Sequence, residues 1–173
     1  MNKLLVCLLF CSFLSSKERI FFMPDEQEQA LYHLKKTLES AKESIDIAIY
    51  SFTNKEIAKV LRDRAKNGVR IAIIYDNEAN VKNKYSTIGY LAILNNVKVC
   101  TLKGVYNEQK KYYGIMHQKL AIVDGKKVVF GSANWSKGAF ENNYEILYFT
   151  DKIEIVQKAK SFFNKMQQQC LVF

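Results

Sequence analysis

The stretch "SIDIAIYSFTNKEIAKVLRDRAKNGVRIAIIYD", Ser44 to Asp76, sets the architecture of the chain. In its first part Ile45, Ile47 and Ile49 alternate with Asp46, Ala48 and Tyr50, as the two faces of a strand do. The middle reads as a helix, with Asn54 placed to cap its start and Gly68 just past its end. "VRIAIIYD" then returns to strand character. A strand, a helix and a strand in direct succession imply parallel pairing in a sheet covered by helices.

Upstream, "RIFFMP" reads as a short strand, and Asp25 opens a helical pattern that puts Leu31, Leu34 and Leu38 on one face. Downstream come a polar stretch and a helix expected around Tyr85 to Leu94. The second half changes character. "HQKLAIVDGKKVVFGS" is two short strands around an Asp-Gly pair, a strong hairpin signal. "YEILYFT" adds a strand, and a last helix is expected from Ile153 to Met166. The expected fold is a mixed α/β sandwich, a central mixed β-sheet with helices on both faces.

With 173 residues, of which 49% are hydrophobic, the chain fits one globular domain with an ordinary core. The first residues, "MNKLLVCLLFCSFLSS", carry Lys3, an apolar run from Leu4 to Leu14 and then small polar residues. That pattern is expected of a signal peptide or an N-terminal membrane anchor over residues 1–16, leaving 17–173 as the domain. Export is the corresponding expectation, to the periplasm or to the inner membrane with the segment as anchor. Cys7 and Cys11 fall in this leader. Cys100 and Cys170 are expected to serve packing, although an oxidising compartment would permit one disulfide between them. A formal charge of +9 favours a polyanionic partner without choosing between nucleic acid and anionic lipid.

His117 and Lys119 are two apart on a strand, so their side chains leave the same face, and Ser132 and Asn134 repeat the spacing after the turn. A hairpin loop of two or of four residues would gather all four on one face, whereas a three-residue loop would break the parity. A histidine, a lysine, a hydroxyl and an amide suit a phosphodiester. Lys119 and Asn134 can stabilise the charge on its oxygens, and a neutral His117 nitrogen can attack phosphorus to give a phosphohistidine. Glu145, or less suitably Glu141, is the candidate to hold the other ring nitrogen. No metal or other cofactor is expected, since Asp76 and Glu78 after the third strand read as loop or capping carboxylates.

The spacing H-x-K-x4-D-x6-G-S-x-N, carried by His117, Lys119, Asp124, Gly131, Ser132 and Asn134, resembles the signature of the phospholipase D superfamily. "IDIAIYSFTNKEIAKVL", "GVRIAIIYD" and "NNYEILYFT" look like that family's elements in their usual order. The resemblance implies His117 as nucleophile, Lys119, Asn134 and Ser132 around phosphate, Glu145 paired with the histidine, and Asp124 and Gly131 as structural positions. Larger members carry the motif twice, so that one histidine attacks and the other protonates the leaving oxygen. This chain has one copy, and its other histidine, His33, stands in "YHLKK" without the motif. The resemblance therefore implies a homodimer that brings two His117 residues to one phosphate, as in the small bacterial endonucleases of the family.

The motif identifies a reaction, and the substrate must be read elsewhere. In "LKGVYNEQKKYYG", Lys103, Lys110 and Lys111 stand among Tyr106, Tyr112 and Tyr113, and "NVKNKYS" adds Lys82, Lys84 and Tyr85. Lysines among aromatic rings suit a single nucleic-acid strand, such as single-stranded DNA, and no duplex-reading helix-turn-helix is evident. Ser51 and Phe52, at a strand's carboxyl end, are expected to line the cleft. The main rival is a phospholipase D or phosphatidyltransferase held at a membrane by the leader.

Overall fold

The computed structural model describes residues 17–173, so the leader expectation lies outside the described residues. The chain runs β1 (Glu18–Met23), α1 (Gln27–Glu39), β2 (Ser44–Ile49), α2 (Lys55–Lys66), β3 (Arg70–Asp76), α3 (Asn77–Asn80), α4 (Ile88–Ala92) and β4 (Val97–Leu102). It continues through β5 (Tyr106–Asn107), β6 (Tyr112–Tyr113), β7 (Lys119–Val123), β8 (Lys127–Gly131), α5 (Lys137–Glu141), β9 (Glu145–Thr150), α6 (Ile153–Gln169) and β10 (Leu171–Val172). Eight strands form one mixed sheet in the order β1-β9-β8-β7-β2-β3-β4-β10, and β5 and β6 form a separate hairpin. β2, β3 and β4 are parallel neighbours, while β7 lies antiparallel to β2.

The alternation in β2 divides the two cores. Ile45, Ile47 and Ile49 pack with Leu34 and Leu38 of α1 and Ile57 and Leu61 of α2. Ala48 joins Ile74, Leu120 and Ile122 against Val156, Phe163 and Met166 of α6. Each of these large aliphatic side chains contributes about 1.5–3 kcal/mol by leaving water. Asp46 lies on the α6 side of β2 and is paired with Lys160. Asn54 Oδ1 accepts from the N–H groups of Glu56 (2.9 Å) and Ile57 (3.2 Å), so α2 starts at the residue after it.

Three local expectations are corrected. The helix expected over Tyr85 to Leu94 is only Ile88–Ala92, because Asn83 Oδ1 takes the Tyr85 N–H at 3.0 Å and the Phe52 carbonyl takes that of Thr87 at 3.0 Å. The last helix runs on to Gln169. Cys100 and Cys170, expected to serve packing, form a disulfide with Cα atoms 5.7 Å apart. β10 pairs Leu171 with Thr101 and Val172 with Cys100, so the chain's return to the edge of β4 brings the two thiols together.

Among the described residues, α6 leaves its side of the sheet uncovered over β1, β9 and the end of β8. Cross-strand pairing places Ile20 beside Tyr148, Phe22 beside Ile146, and Phe130 beside Tyr148 on one side of β1, β9 and β8. Ile20, Phe22 and Ile146 are 46%, 54% and 41% exposed there, whereas Leu147 and Phe149 on the reverse side are buried with the α1 core.

Candidate active site

The hairpin β7–β8 does not have the even loop that would align the polar residues. Asp124 and Gly125 adopt positive φ of 53° and 60°, and the Lys126 N–H donates to the Val123 carbonyl at 2.9 Å. The ladder then resumes with Val123 opposite Lys127, which leaves Lys126 as an extra residue and makes a three-residue loop. The parity expectation for His117, Lys119, Ser132 and Asn134 is thereby overturned.

The chain solves the problem by leaving the sheet. At Gly131 a Cβ would lie 2.1 Å from the Ile146 carbonyl oxygen, so only glycine allows β8 to press this close to β9. The Ser132 N–H still donates to that carbonyl (3.1 Å), but the Ser132 Oγ takes the Ile146 N–H (3.0 Å). From there the segment crosses to the end of β2. The Trp135 N–H donates to the Ser51 carbonyl (3.0 Å), and the Trp135 carbonyl accepts from Thr53 and Asn54, both at 2.9 Å. Asn134 is carried on this crossing, and its Oδ1 is buried with no hydrogen-bond partner among the described residues, which leaves the amide uncommitted to them.

His117 is exposed just before β7, and Lys119, the first residue of β7, is only 4% exposed. Lys119 Nζ donates to the His117 carbonyl at 3.1 Å. Burial pushes the Lys119 ammonium below its ordinary pKa, and the Glu145 carboxylate acts in the opposite direction. Glu145 accepts from Asn143 Nδ2 in a long 3.4 Å bond, and among the described residues no hydrogen bond joins it to His117. Exposed Glu141 pairs instead with Lys137 at 3.6 Å on α5.

Two residues not foreseen as part of this centre hold it together. The Tyr50 ring meets the His117 ring edge-on at 4.6 Å, lies 5.1 Å from Lys119 Nζ, and its N–H donates to the Gln118 carbonyl at 2.8 Å. Asp76, 1% exposed, accepts from the Met116 N–H through Oδ2 and from the Ala79 N–H through Oδ1, both at 2.9 Å. It thus fixes the residue that precedes His117. The available signal was position, since Tyr50 directly follows β2 and Asp76 ends β3, both at the carboxyl ends of parallel strands.

Of the two residues expected to line the cleft, Phe52 is fully buried, with ring centroids 5.0 Å from Trp135 and 6.1 Å from Tyr75. That expectation is corrected: Phe52 packs the crossing segment from beneath. Half-buried Ser51 holds the same segment through its carbonyl. Asp124 ties the turn to the start of β2 by accepting from the N–H groups of Lys42, Glu43 and Ser44 at 2.8–3.2 Å. Burial raises its pKa, but those three donors together with Lys126 hold it below the ordinary carboxylate value. His33 is half-buried on α1, where it stacks on Phe21 at 5.0 Å and bonds Arg19.

A cleft of about 840 Å³ opens beside His117. Of the residues expected to meet substrate, His117, Lys103 and Tyr113 line it, whereas Lys110, Lys111 and Tyr112 lie exposed outside it on the β5–β6 arm. The arm's base is pinched where the Gly104 N–H donates to the Gly114 carbonyl at 2.8 Å. Tyr106 and Tyr113 pair their rings at 4.8 Å, and Lys103 Nζ lies 5.0 Å from the Tyr113 ring. Among the described residues, no three His, Cys, Asp or Glu side chains are grouped to hold a metal.

A mixed α/β sheet with a histidine, a buried lysine and an uncommitted amide at the end of its central strand defines a class of phosphate-handling domain, and known proteins place the chain within it. The profile described as "Cardiolipin synthase, PLD-like domain" matches residues 34–167, and the chain belongs to this phospholipase D family. NucT from Helicobacter pylori is 52% identical with a TM-score of 0.90, over 92% of this chain and 100% of that one. Nuc from Salmonella typhimurium, a phospholipase D family member, shares the fold at a TM-score of 0.75 and 24% identity, over 92% of this chain and 99% of that one. Human mitochondrial cardiolipin hydrolase is 28% identical over 144 residues, 82% of this chain and 52% of that protein. The chain thus spans about half the length of that curated relative.

Proposed function

We propose that this phospholipase D family enzyme hydrolyses phosphodiester bonds in nucleic acid without a metal, favouring single-stranded DNA and showing little sequence preference. The observation that carries this reading is the setting of the His117 cleft: lysines and tyrosines, Lys103, Tyr106 and Tyr113, stand at its wall, and Lys110, Lys111 and Tyr112 continue the pattern on the arm.

In this mechanism a neutral His117 ring nitrogen attacks phosphorus while Lys119, the Asn134 amide and the Ser132 hydroxyl stabilise charge on the phosphoryl oxygens. The Ser132 oxygen already accepts from Ile146, which leaves its proton free to face phosphate. His117 of a second copy protonates the departing oxygen. Water, deprotonated by that second imidazole, then attacks phosphorus and breaks its bond to the His117 nitrogen, releasing the phosphate product and free His117. Glu145 turns from its long Asn143 contact to hold the other nitrogen of the attacking ring. The exposed patch of Ile20, Phe22, Phe130 and Ile146 supports the dimer, since it adjoins Ser132, just after β8, and Glu145 at the start of β9, and none of the described residues of one copy covers it.

The Cys100–Cys170 disulfide supports an oxidising compartment, and with the apolar run at Leu4–Leu14 it favours an exported enzyme, periplasmic or held at the inner membrane. A second reading, phospholipid hydrolysis, is supported by the likeness to mitochondrial cardiolipin hydrolase. Incubation of residues 17–173 with labelled single-stranded DNA, duplex DNA and cardiolipin vesicles, each with and without EDTA, separates the two. DNA cleavage that survives EDTA and falls at least about 10³-fold in His117→Ala is expected. Turnover of vesicles alone would transfer the assignment to phospholipid.

A further inference from the structure

The cleft beside His117 is larger than one phosphate requires. Its volume of about 840 Å³ lies within the range of roughly 300–1,000 Å³ that houses whole small molecules. One wall is the β5–β6 arm and the other is the last turns of α6, which contribute Phe162, Lys165 and Gln169. Phe163 and Met166 of that helix are buried against the sheet, but Phe162 is 49% exposed, as is Tyr113 at 51% on the other wall.

Two half-exposed aromatic rings, an exposed amide and flanking lysines are what a nucleoside presents contacts for: a base to stack, an edge to hydrogen-bond and phosphates on either side. A lipid chain would instead need an unbroken apolar channel, and Lys103 and Lys165 interrupt both walls. We propose that this cleft is a nucleoside subsite, which takes the base on one side of the scissile phosphate against Phe162 and Tyr113. Gln169 reads the base edge, and Lys165 meets the neighbouring phosphate. The inference rests on the nucleic-acid reading above.

The disulfide gives the wall its position. Cys170 directly follows Gln169 and is bonded to Cys100 of β4, while Leu171, itself a cleft residue, pairs with Thr101. The helix end that carries Gln169 is therefore fastened covalently to the sheet that carries the cleft floor.

The test uses a single-stranded thymidine hexamer with one phosphodiester among phosphorothioate linkages, which keep their charge and are cut more slowly, and with a single abasic residue placed on the 5′ or the 3′ side of that phosphodiester. Loss of the base on one side only is expected to raise KM about 5- to 100-fold, the effect of one aromatic–base stack. Phe162→Ala is expected to raise KM for the intact hexamer by a similar factor and to stop distinguishing intact from abasic substrate. Equal KM for intact and abasic hexamers in the parent protein, or discrimination that persists in Phe162→Ala, would overturn the subsite while leaving DNA cleavage standing. Failure to cut any hexamer, alongside hydrolysis of bis(p-nitrophenyl) phosphate that requires His117, would overturn both the subsite and the nucleic-acid reading. A circular-dichroism melt of Phe162→Ala matching the parent separates lost stacking from lost folding.

Discussion

The centre at His117 and the arm beside it are built in opposite ways. Around His117 the groups are fixed by backbone: Asp76 holds the Met116 N–H, Tyr50 holds the Gln118 carbonyl, and Lys119 is buried with its ammonium on the His117 carbonyl. The β5–β6 arm has two strands of two residues each, and its tyrosines are 38–51% exposed. Attack on phosphorus demands placement to within a fraction of an ångström, and buried hydrogen bonds supply it. Contact with a flexible polyanion demands charge and ring faces in a tolerant arrangement, and an exposed hairpin supplies that. Changes at the centre should therefore act on kcat or on the fold, and changes on the arm on KM.

Asp76→Asn tests the first half most severely. Asparagine has one acceptor oxygen where aspartate uses two, so either the Met116 or the Ala79 N–H loses its partner and meets an NH2 group instead. A displacement of His117 by about 1 Å costs on the order of 10²-fold in rate. The expected result is a fall of that size in kcat on a single-stranded oligonucleotide, with KM near the parent's. A change confined to KM would break the contrast between centre and arm.

Asp124→Asn should produce a somewhat smaller effect, on stability. Three backbone N–H groups donate to this carboxylate, and hydrogen bonds to a charged group are worth about 1.5–3 kcal/mol, so a loss of about 2 kcal/mol at neutral pH is expected. The sign with pH follows from the lowered folded-state pKa. The parent's advantage is complete above the ordinary value of 3.8 and is lost as pH falls through the lower folded value. Urea midpoints for the two proteins should converge on acidification, and a gap constant down to pH 2 would refute the assignment.

The sequence carried much of this in legible form because two periods and a turn signal agree: the alternation of β2, the helical spacing of α2 and the Asp-Gly pair of the hairpin. What it could not carry was set by single residues and long-range contacts. Lys126 adds one residue to the β7–β8 turn and so shifts the register, a choice between loops that the Asp-Gly pair leaves open. Asp76 and Met116 are separated by 40 positions, and Cys100 and Cys170 by 70, so neither pairing is written in local spacing. Phe52 and Tyr50 are both aromatic and near one strand end, and only the crossing of Trp135 decides that Phe52 is buried while Tyr50 meets His117.

The gentlest perturbation sharpens the other half of the contrast. Lys110 and Lys111 are exposed on the arm, outside the cleft, where each can meet a strand's phosphate without touching the reacting one. Binding to a single strand weakens with salt because condensed ions are released, with a slope of about 0.7 per neutralised phosphate in the logarithmic plot. Lys110→Ala and Lys111→Ala should each lower the slope of log KM against log salt by about that amount, and the double variant by about 1.4. Because the slope counts charges and not geometry, it separates steering by the arm from damage to His117, which would lower kcat at every salt concentration alike. An unchanged slope in the double variant would mean that the strand passes elsewhere, with Lys82 and Lys84 of the loop before α4 as the next lysines to substitute.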